Sequence, residues 1–290
     1  MIEAISLPPW PEYELIDTGE FEKLERFGHV VVRRPEPQAI WNRSLDETTW
    51  LQQAQATFKR EKGSSEKGIW ELKKGTPDKW WIDFKGKERA FRFKLSLSGF
   101  KHVGIFPEQA SNWLFIEERL KQVPQPSFLN LFAYTGAASI VAKAAGAEVT
   151  HVEAIKHTIS WARENMEGNQ LDNIRWMADD ALKFTKREAK RGRKYTGILL
   201  DPPAYGRGPD GEKWILEENL NELLQACSTI LDAERGFVII NLYSLSMSAL
   251  VVENLLKAHF AYLKHQTIGE FYIEDSFGKK LPLGIFGKGF

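Results

Sequence analysis

The most regular hydrophobic pattern in the chain lies between residues 91 and 97. Apolar and polar side chains alternate there with the period of a strand that has one buried face: Phe91, Arg92, Phe93, Lys94, Leu95, Ser96 and Leu97. The 85–87 segment, which contains Gly86, predicts a hairpin turn before this strand. A second strand is predicted over 29–35, ending at Pro35, and a short helix over 50–60. These elements predict a small, antiparallel, β-rich N-terminal domain over residues 1–100.

The pattern changes after residue 126, where short apolar runs begin to alternate with helical spacings. The predicted strands cover 128–132, 147–153, 174–178, 198–200, 236–242, 266–273 and 281–287. The predicted helices cover 113–120, 137–145, 155–165, 181–191, 215–231 and 248–258. Alternating units of this kind predict an α/β fold with a doubly wound, Rossmann-like sheet of seven strands over residues 101–290. The sheet should be mostly parallel, with the last strand antiparallel because only a short link precedes it.

Composition is that of an ordinary globular protein. Of the 290 residues, 43% are hydrophobic and 27% are charged, and no apolar run approaches the roughly 18 residues of a membrane-spanning helix. The first residues lack the basic and apolar segments of a signal peptide, so we expect a cytoplasmic protein with no membrane partner. The single cysteine excludes internal disulfides and cysteine-based metal clusters, and the six histidines have no metal-ligand spacing. We therefore expect no metal.

The formal net charge is zero, so any contact with nucleic acid must depend on local patches. Six of the ten tryptophans lie in the first 100 residues, either as core side chains of a small domain or as exposed rings that stack on RNA bases. A basic run over 183–194 is either a solvated helix face or an RNA-binding surface. A second basic set is Arg33, Arg34, Arg43, Lys59, Arg60 and Lys62.

Polar residues follow the predicted strands at their carboxyl ends, where open α/β sheets bind ligands. Gly136 lies in the turn after the first of these strands, but the Gly-x-Gly-x-x-Gly fingerprint of dinucleotide-binding proteins is absent. Glu153 ends the next strand, where a carboxylate either bonds a ribose or is simply solvated. Asp179 and Asp180 end the third, where one of them either accepts an adenine amino proton or caps the next helix.

The 198–208 segment joins a buried strand to a stiff loop. Asp201 ends the apolar run, Pro202 and Pro203 fix φ and remove two backbone donors, and Tyr205 follows after one residue. A carboxylate, rigid carbonyl groups and an aromatic ring suit a flat substrate that carries nitrogen. Taken alone, the same motif also fits an ordinary strand-to-loop exit.

Together these motifs resemble the class I S-adenosylmethionine-dependent methyltransferases over roughly residues 100–290. More narrowly, the segments 104–109, 130–136, 178–181 and 201–205 resemble bacterial ribosomal RNA large-subunit methyltransferases that make 5-methylcytosine or 7-methylguanine. The resemblance implies S-adenosylmethionine as the cofactor, with Glu153 on its ribose and Asp179 or Asp180 on its adenine. The cofactor-binding residues that it implies are Phe106, Pro107, Gln109, Asn130, Phe132, Ala133, Tyr134, Thr135, Gly136, Glu153, Ala154, Asp179, Asp180, Ala181, Asp201 and Pro203. The candidate catalytic residues are Asp201, Pro202 and Tyr205 of the stiff loop.

Cysteine usage limits the chemistry. Methylation at carbon 5 of a pyrimidine requires a thiolate that attacks the ring, and in the family resembled that thiol follows the fifth strand. This chain has Asn-Leu-Tyr-Ser-Leu-Ser at 241–246, and Cys227 shares a helical stripe with apolar residues, as a core side chain would.

We therefore expect direct transfer to a base nitrogen of ribosomal RNA, without a covalent intermediate. Asp201 or the Pro202 carbonyl group would accept hydrogen bonds from that nitrogen, and Tyr205 would stack on the base. Two alternatives stay open: an N-methyltransferase of a protein or small molecule, and a non-catalytic, cofactor-binding RNA assembly factor. The oligomeric state is not predicted.

Overall fold

The computed structural model describes residues 2–63, 67–243 and 247–290, which form two compact units. The larger unit comprises Met1–Ile5, Ser111–Phe271 and Leu283–Phe290, and the smaller unit comprises Ser6–Ala110 and Tyr272–Pro282. The predicted boundary at residue 100 lies within the smaller unit, which also contains the end of the second-to-last strand, the start of the last strand and the turn between them. No helix in the described part of the chain is both long enough and apolar enough to cross a membrane.

The described residues contain seventeen strands and seven helices. The strands are β1 (Ile2–Ser6), β2 (Tyr13–Gly19), β3 (Glu22–Phe27), β4 (Val30–Pro35), β5 (Ala56–Arg60), β6 (Gly68–Leu72), β7 (Lys79–Lys85), β8 (Ala90–Ser96), β9 (Ser127–Leu131), β10 (Glu148–Glu153), β11 (Arg175–Ala178), β12 (Gly197–Leu200), β13 (Tyr205–Arg207), β14 (Lys213–Ile215), β15 (Phe237–Leu242), β16 (Gln266–Glu274) and β17 (Lys280–Gly289). The helices are α1 (Glu47–Gln53), α2 (Ala110–Lys121), α3 (Ala137–Ala144), α4 (Lys156–Gly168), α5 (Ala181–Lys190), α6 (Leu216–Ile230) and α7 (Ala249–His259), with a 3-10 turn at Pro107–Gln109.

An eight-stranded sheet forms the centre of the larger unit, in the order β1-β16-β17-β15-β12-β9-β10-β11. The five strands from β15 to β11 in this order are parallel, and β17 pairs with β15 antiparallel. After β9 the chain adds β10 and β11 on one side of it and then β12 and β15 on the other side. This change of side places a topological switch point between β9 and β12. This architecture confirms the predicted Rossmann-like α/β fold.

The sheet has one strand more than the sequence pattern predicts. That strand is β1, which pairs with β16 at the sheet edge. Four of its five residues are exposed and none is fully buried, so it carries no apolar face for a hydrophobic pattern to reveal. The central strands β12 and β15 are buried along their whole length, as expected for strands covered on both faces.

The smaller unit contains a five-stranded sheet, β2-β3-β4-β5-β6, and the separate hairpin β7-β8. Every pair is antiparallel except β4 with β5, which is parallel. The alternation in β8 is confirmed, since Phe91, Phe93 and Leu95 are each at most 1% exposed. The small, mainly antiparallel β-rich domain is therefore present.

The predicted helix over 50–60 is wrong in its second half. The helix α1 begins earlier, where Asp46 caps it by accepting a hydrogen bond of 2.8 Å from the Thr49 amide, and it ends before Ala54 adopts an extended conformation. Residues 56–60 form strand β5 instead, with Ala56 and Phe58 buried. Two alternating apolar residues were too short a pattern to distinguish from the helical spacing that begins at Trp50.

Three of the six residues in the second basic set have largely buried side chains and do not contribute to a basic surface. The Arg33 and Arg34 residues are 8% and 3% exposed, and the Arg43 side chain is 9% exposed. Arg34 forms a two-pronged ion pair with the buried Glu25, at 2.5 and 3.0 Å, while Arg33 and Arg43 both bind Glu22. Their carboxylate partners across the strands stabilise these charges inside the unit.

Candidate active site

The register of the parallel strands aligns their carboxyl ends along one edge of the sheet. Leu131 pairs with Leu200 on one side and with Val152 on the other, and Val152 pairs with Met177. The residues that follow these four positions therefore lie side by side. The structure thus gathers at one edge the loop after β9, the end of β10, the loop after β11 and the loop after β12.

The loop between β9 and α3 has an unusual backbone. Phe132, Tyr134 and Gly136 all have positive φ, at 55°, 49° and 84°. The first two are bulky side chains in the left-handed region, which costs free energy and is concentrated at functional sites. A Cβ atom at Gly136 would lie 3.0 Å from the Ala162 Cβ, so glycine also permits α3 and α4 to approach each other.

Glu153 holds this loop against the end of β10. Its Oε2 accepts a hydrogen bond of 3.0 Å from the Tyr134 amide, and its Oε1 accepts one of 3.0 Å from the Ile155 amide. Burial raises the pKa of Glu153, and the backbone donors partly oppose that shift. Each carboxylate oxygen keeps acceptor capacity for a ligand hydroxyl group. Ala154, which follows, is half-buried, and Ile155 is 50% exposed.

A buried polar row lies beneath the loop. The Asn130 amide donates a hydrogen bond of 2.9 Å to Ser139 Oγ, which lies 3.0 Å from His151 Nδ1. Burial lowers the pKa of His151 to about 3, so its ring is neutral. The His151 Nε2 atom has no hydrogen-bond partner among the described residues, and its ring meets Trp176 edge to face at 4.7 Å. Asn130 is 2% exposed, so the structure places it under the loop rather than on the open edge.

The two aspartates after β11 are both engaged within the protein. Asp180 caps α5 by accepting a hydrogen bond of 2.8 Å from the Lys183 amide. Asp179 forms a short ion pair with Arg187, and it is only partly exposed. Ala181, the first residue of α5, is buried. Contact of either aspartate with adenine stays a prediction, and it would use the acceptor capacity that these bonds leave.

Asp201 differs from the other strand-end carboxylates because no donor reaches it. Its side chain is half-buried, and no hydrogen bond or ion pair to it occurs within residues 2–63, 67–243 and 247–290. Desolvation by burial therefore raises its pKa to about 7. A carboxyl group that is half ionised near neutral pH is suited to accept a hydrogen bond or a proton from a ligand.

The carbonyl groups of the following loop are not equivalent. The Trp214 indole donates a hydrogen bond of 2.7 Å to the Pro203 carbonyl, and the Leu216 amide donates one of 3.0 Å to the Ala204 carbonyl. The Pro202 carbonyl has no donor among the described residues. The Trp214 ring also packs against Phe132, with ring centroids 4.8 Å apart. One indole thus joins the loop after β12 to the loop after β9.

Sequence reasoning did not find the hairpin that supplies this indole. The β13 and β14 strands form a two-stranded sheet in which Tyr205 pairs with Ile215 and Gly206 with Trp214. The Tyr205 ring is 54% exposed, and Trp214 is 3% exposed. The signal available in the sequence was the Gly-Pro-Asp-Gly turn at 208–211, which separates two very short strands.

The remaining predicted cofactor residues fall into two groups. Ala133 and Thr135 are buried in the loop after β9. Phe106, Pro107 and Gln109 belong to the smaller unit, where Pro107 begins the 3-10 turn. Their contact with a cofactor stays a prediction.

The one thiol is remote from this edge. Cys227 lies in α6, is fully buried among apolar residues, and burial raises its pKa well above the usual range. The prediction that it is a core residue is confirmed. Of the segment 241–246, residues 241–243 are described, and Ser244, Leu245 and Ser246 lie outside the described residues.

The basic run of α5 is mostly paired with carboxylates. Lys183 binds Glu212 at 2.5 Å, and Lys186 binds Glu222 at 2.5 Å. Three arginines of the run also form ion pairs: Arg187 with Asp179, Arg191 with Glu188 of the same helix, and Arg193 with Glu148. These ion pairs favour the interpretation of a solvated helix face over that of an RNA-binding surface.

The fold and the strand-end site define a doubly wound ligand-binding protein of the Rossmann-like class. A family described as Conserved hypothetical protein 95 matches residues 108–249. A solved S-adenosylmethionine-dependent methyltransferase from Agrobacterium tumefaciens is 34% identical, with a TM-score of 0.90 over 99% of this chain and 93% of that chain. The chain belongs to the class I S-adenosylmethionine-dependent methyltransferases, whose cofactor is S-adenosylmethionine.

Two of the curated relatives are named as methyltransferases of ribosomal RNA. The ribosomal RNA large subunit methyltransferase K/L of Shewanella frigidimarina is 31% identical over 142 residues, which are 48% of this chain. The ribosomal RNA large subunit methyltransferase I of Salmonella arizonae is 26% identical over 164 residues, which are 56% of this chain. The match covers only 19% of the first protein's length and 36% of the second's.

Proposed function

We propose that this protein transfers a methyl group from S-adenosylmethionine to a base nitrogen of ribosomal RNA, directly and without a covalent enzyme intermediate. The observation that carries the proposal is the pair of unpartnered acceptors after β12. The Asp201 carboxyl group and the Pro202 carbonyl group follow one another at the switch point, next to a strained loop. The names of the curated relatives support ribosomal RNA as the substrate.

The residues around β10 fit the cofactor. The Glu153 carboxylate faces the loop after β9 and has acceptor capacity for the two hydroxyl groups of a ribose. The half-exposed Ile155 beside it offers an apolar surface for the adenine ring. The bound cofactor supplies an activated methyl group, so the protein's main task is to align the accepting nitrogen.

Asp201 and Pro202 are suited to that alignment. Two acceptors that bind the hydrogens of an amino group direct its lone pair away from themselves. Tyr205, with a largely exposed ring, would stack on the base that carries this nitrogen, and a base within folded RNA would have to leave its stack to reach it. When the nitrogen gains the methyl group it loses a proton, and a carboxylate with a pKa of about 7 can take that proton.

Cysteine chemistry does not suit this site. A covalent route to carbon 5 of a pyrimidine needs an exposed thiolate, and the chain's single thiol is buried in α6 with a raised pKa. A nitrogen acceptor needs no such activation because its own lone pair attacks the methyl group.

The test measures transfer of a tritiated methyl group to undermodified large-subunit ribosomal RNA. We expect label in the RNA, and a loss of at least about 100-fold for Asp201→Ala, because a group that acts only in the transition state typically contributes this much. Calorimetry should show S-adenosylmethionine binding for both proteins. Label in protein or a small molecule instead of RNA would replace the proposed substrate, and cofactor binding without any transfer would indicate a non-catalytic assembly factor.

A further inference from the structure

Positive charge is concentrated in one part of this neutral protein. The whole chain has 39 basic and 39 acidic residues, whereas residues 56–96 contain twelve basic and six acidic ones. All of this segment belongs to the smaller unit. A locally basic surface on a neutral protein is the electrostatic feature expected for contact with a polyanion.

The β7-β8 hairpin within this segment has two unlike faces. Its inward face consists of six side chains that are at most 5% exposed: Trp80, Ile82, Phe84, Phe91, Phe93 and Leu95. Its outward face carries the exposed Lys79, Trp81, Lys85 and Arg92, together with the partly buried Lys94 and one carboxylate, Asp83. The two strands pair so that Trp81 lies opposite Lys94. The outward face is therefore a basic ribbon with one aromatic ring near its middle.

The exposure of Trp81 is not explained by the packing of the hairpin. The neighbouring Trp80 is 5% exposed and donates a hydrogen bond of 3.0 Å to the Phe27 carbonyl, as a core tryptophan should. Trp81 is 39% exposed, although a ring of this size gains most by burial. Exposed aromatic rings next to lysines form the stacking platforms of proteins that bind single-stranded nucleic acids.

We propose that the outward face of the β7-β8 hairpin binds single-stranded RNA, with Trp81 stacking on a base. Lys79 and Lys85 lie on either side of it along β7 and contact the phosphate groups. Neither lysine forms an ion pair within the described residues, whereas Arg92 binds Asp83 at 2.8 Å. The proposal rests on the proposed function, because the bound strand would be part of the ribosomal RNA substrate.

The experiment measures binding of a fluorescent 12-nucleotide oligouridylate to the full-length protein by anisotropy. We expect Trp81→Ala to weaken binding about 5-fold to 100-fold, and Trp81→Phe to restore most of it because a smaller ring still stacks. The matched control is Phe277→Ala, which removes another exposed ring, 48% exposed, from the same unit. That control should bind as the wild type does.

The double variant Lys79→Gln/Lys85→Gln tests the phosphate contacts. The slope of log affinity against log salt should become shallower by about 1.4, since each single-strand phosphate contact contributes about 0.7. Wild-type affinity in Trp81→Ala, or an equal loss in Phe277→Ala, would overturn the proposal. If polyglutamate binds as tightly as the oligouridylate and Trp81→Ala has no effect on either, the proposal is wrong and the hairpin face is better suited to an acidic protein.

Methyl transfer separates this proposal from the proposed function. If Trp81→Ala methylates ribosomal RNA with unchanged KM and kcat, the hairpin is not the RNA-binding surface while the proposed function stands. If the wild type binds the oligonucleotide but transfers no methyl group to ribosomal RNA, the proposed function fails while the surface stands. We expect Trp81→Ala to raise KM for RNA with little change in kcat, and to leave the calorimetric affinity for S-adenosylmethionine unchanged.

Discussion

Replacement of Asp201 by asparagine should stabilise the protein while it removes activity. The carboxyl group has a pKa of about 7 in the folded protein, against an ordinary value of 3.8, because burial disfavours its charged form. The folded state therefore binds a proton more tightly than the unfolded state between about pH 4 and pH 7. The contribution of Asp201 to the free energy of unfolding is greatest below its unfolded-state pKa of 3.8. It is lost as the pH rises through its folded-state pKa of about 7.

The magnitude follows from that difference of about 3 pKa units. At about 1.36 kcal/mol per unit, ionisation of Asp201 costs the folded protein up to about 4 kcal/mol at pH 8, and partial exposure reduces this to about 2–4 kcal/mol. Asparagine has nearly the same shape and cannot ionise. At pH 5 the folded wild type is protonated, so the gain of Asp201→Asn should fall to about 1–2 kcal/mol.

Urea denaturation of both proteins at pH 5 and pH 8 measures the effect. The control is Asp210→Asn, which changes an exposed aspartate of the same segment and should show no pH-dependent gain. A variant that is equally or less stable than the wild type at pH 8 would refute the reasoning, since it would show that the carboxylate is well solvated. The same variant should lose at least about 100-fold in methyl transfer, because it lacks the charge that binds the nitrogen's hydrogens.

Three further predictions concern the cofactor, the thiol and a buried lysine. Glu153→Gln should weaken S-adenosylmethionine binding about 10-fold by calorimetry, because its amide nitrogen would face the Tyr134 or Ile155 amide; unchanged affinity would remove Glu153 from the site. Cys227→Ala should retain methyl transfer within about 2-fold in the tritium assay, and complete loss without unfolding would revive thiol chemistry. Burial lowers the pKa of Lys288 to about 8, so its charge destabilises the fold below pH 8 and ceases to do so above about pH 10.5. Lys288→Met should therefore raise the unfolding free energy at pH 7 by about 2 kcal/mol and have little effect at pH 10.5, and a lower stability at pH 7 would mean that the Phe115, Phe271 and Phe286 rings hold the charge favourably.

The sequence predicted the α/β unit well because its strands are buried on both faces. Strands such as β12 and β15 are continuous apolar runs, and the helices between them have a clear apolar stripe. The strand-end carboxylates could be located for the same reason, since a doubly wound sheet brings the ends of its strands to one edge. Asp201 could be predicted as a strand-end carboxylate because it stands between an apolar run and two prolines.

The sequence could not reveal contacts between residues that are far apart in the chain. Arg33 and Arg34 look like surface charges in the sequence. The β3-β4 register brings their partners, Glu22 and Glu25, diagonally across from them, each two residues from the directly opposite position. The role of Trp214 depends on a hairpin of two three-residue strands, which has too few residues for a periodic pattern. Asp180 could equally be a cap or a ligand from its position alone, and only the structure showed that it caps α5.

The Trp214 indole has a consequence for how two ligands would affect one another. It touches Phe132 in the loop after β9 and holds the Pro203 carbonyl in the loop after β12. A ligand that moves one loop must therefore strain or relieve the other through a single rigid ring. Thermodynamic linkage makes such coupling reciprocal, so the factor by which cofactor changes the affinity for the methyl acceptor equals the factor by which the acceptor changes the affinity for cofactor. Replacing Trp214 by a small residue should weaken this coupling, because it removes both the ring contact with Phe132 and the hydrogen bond to Pro203.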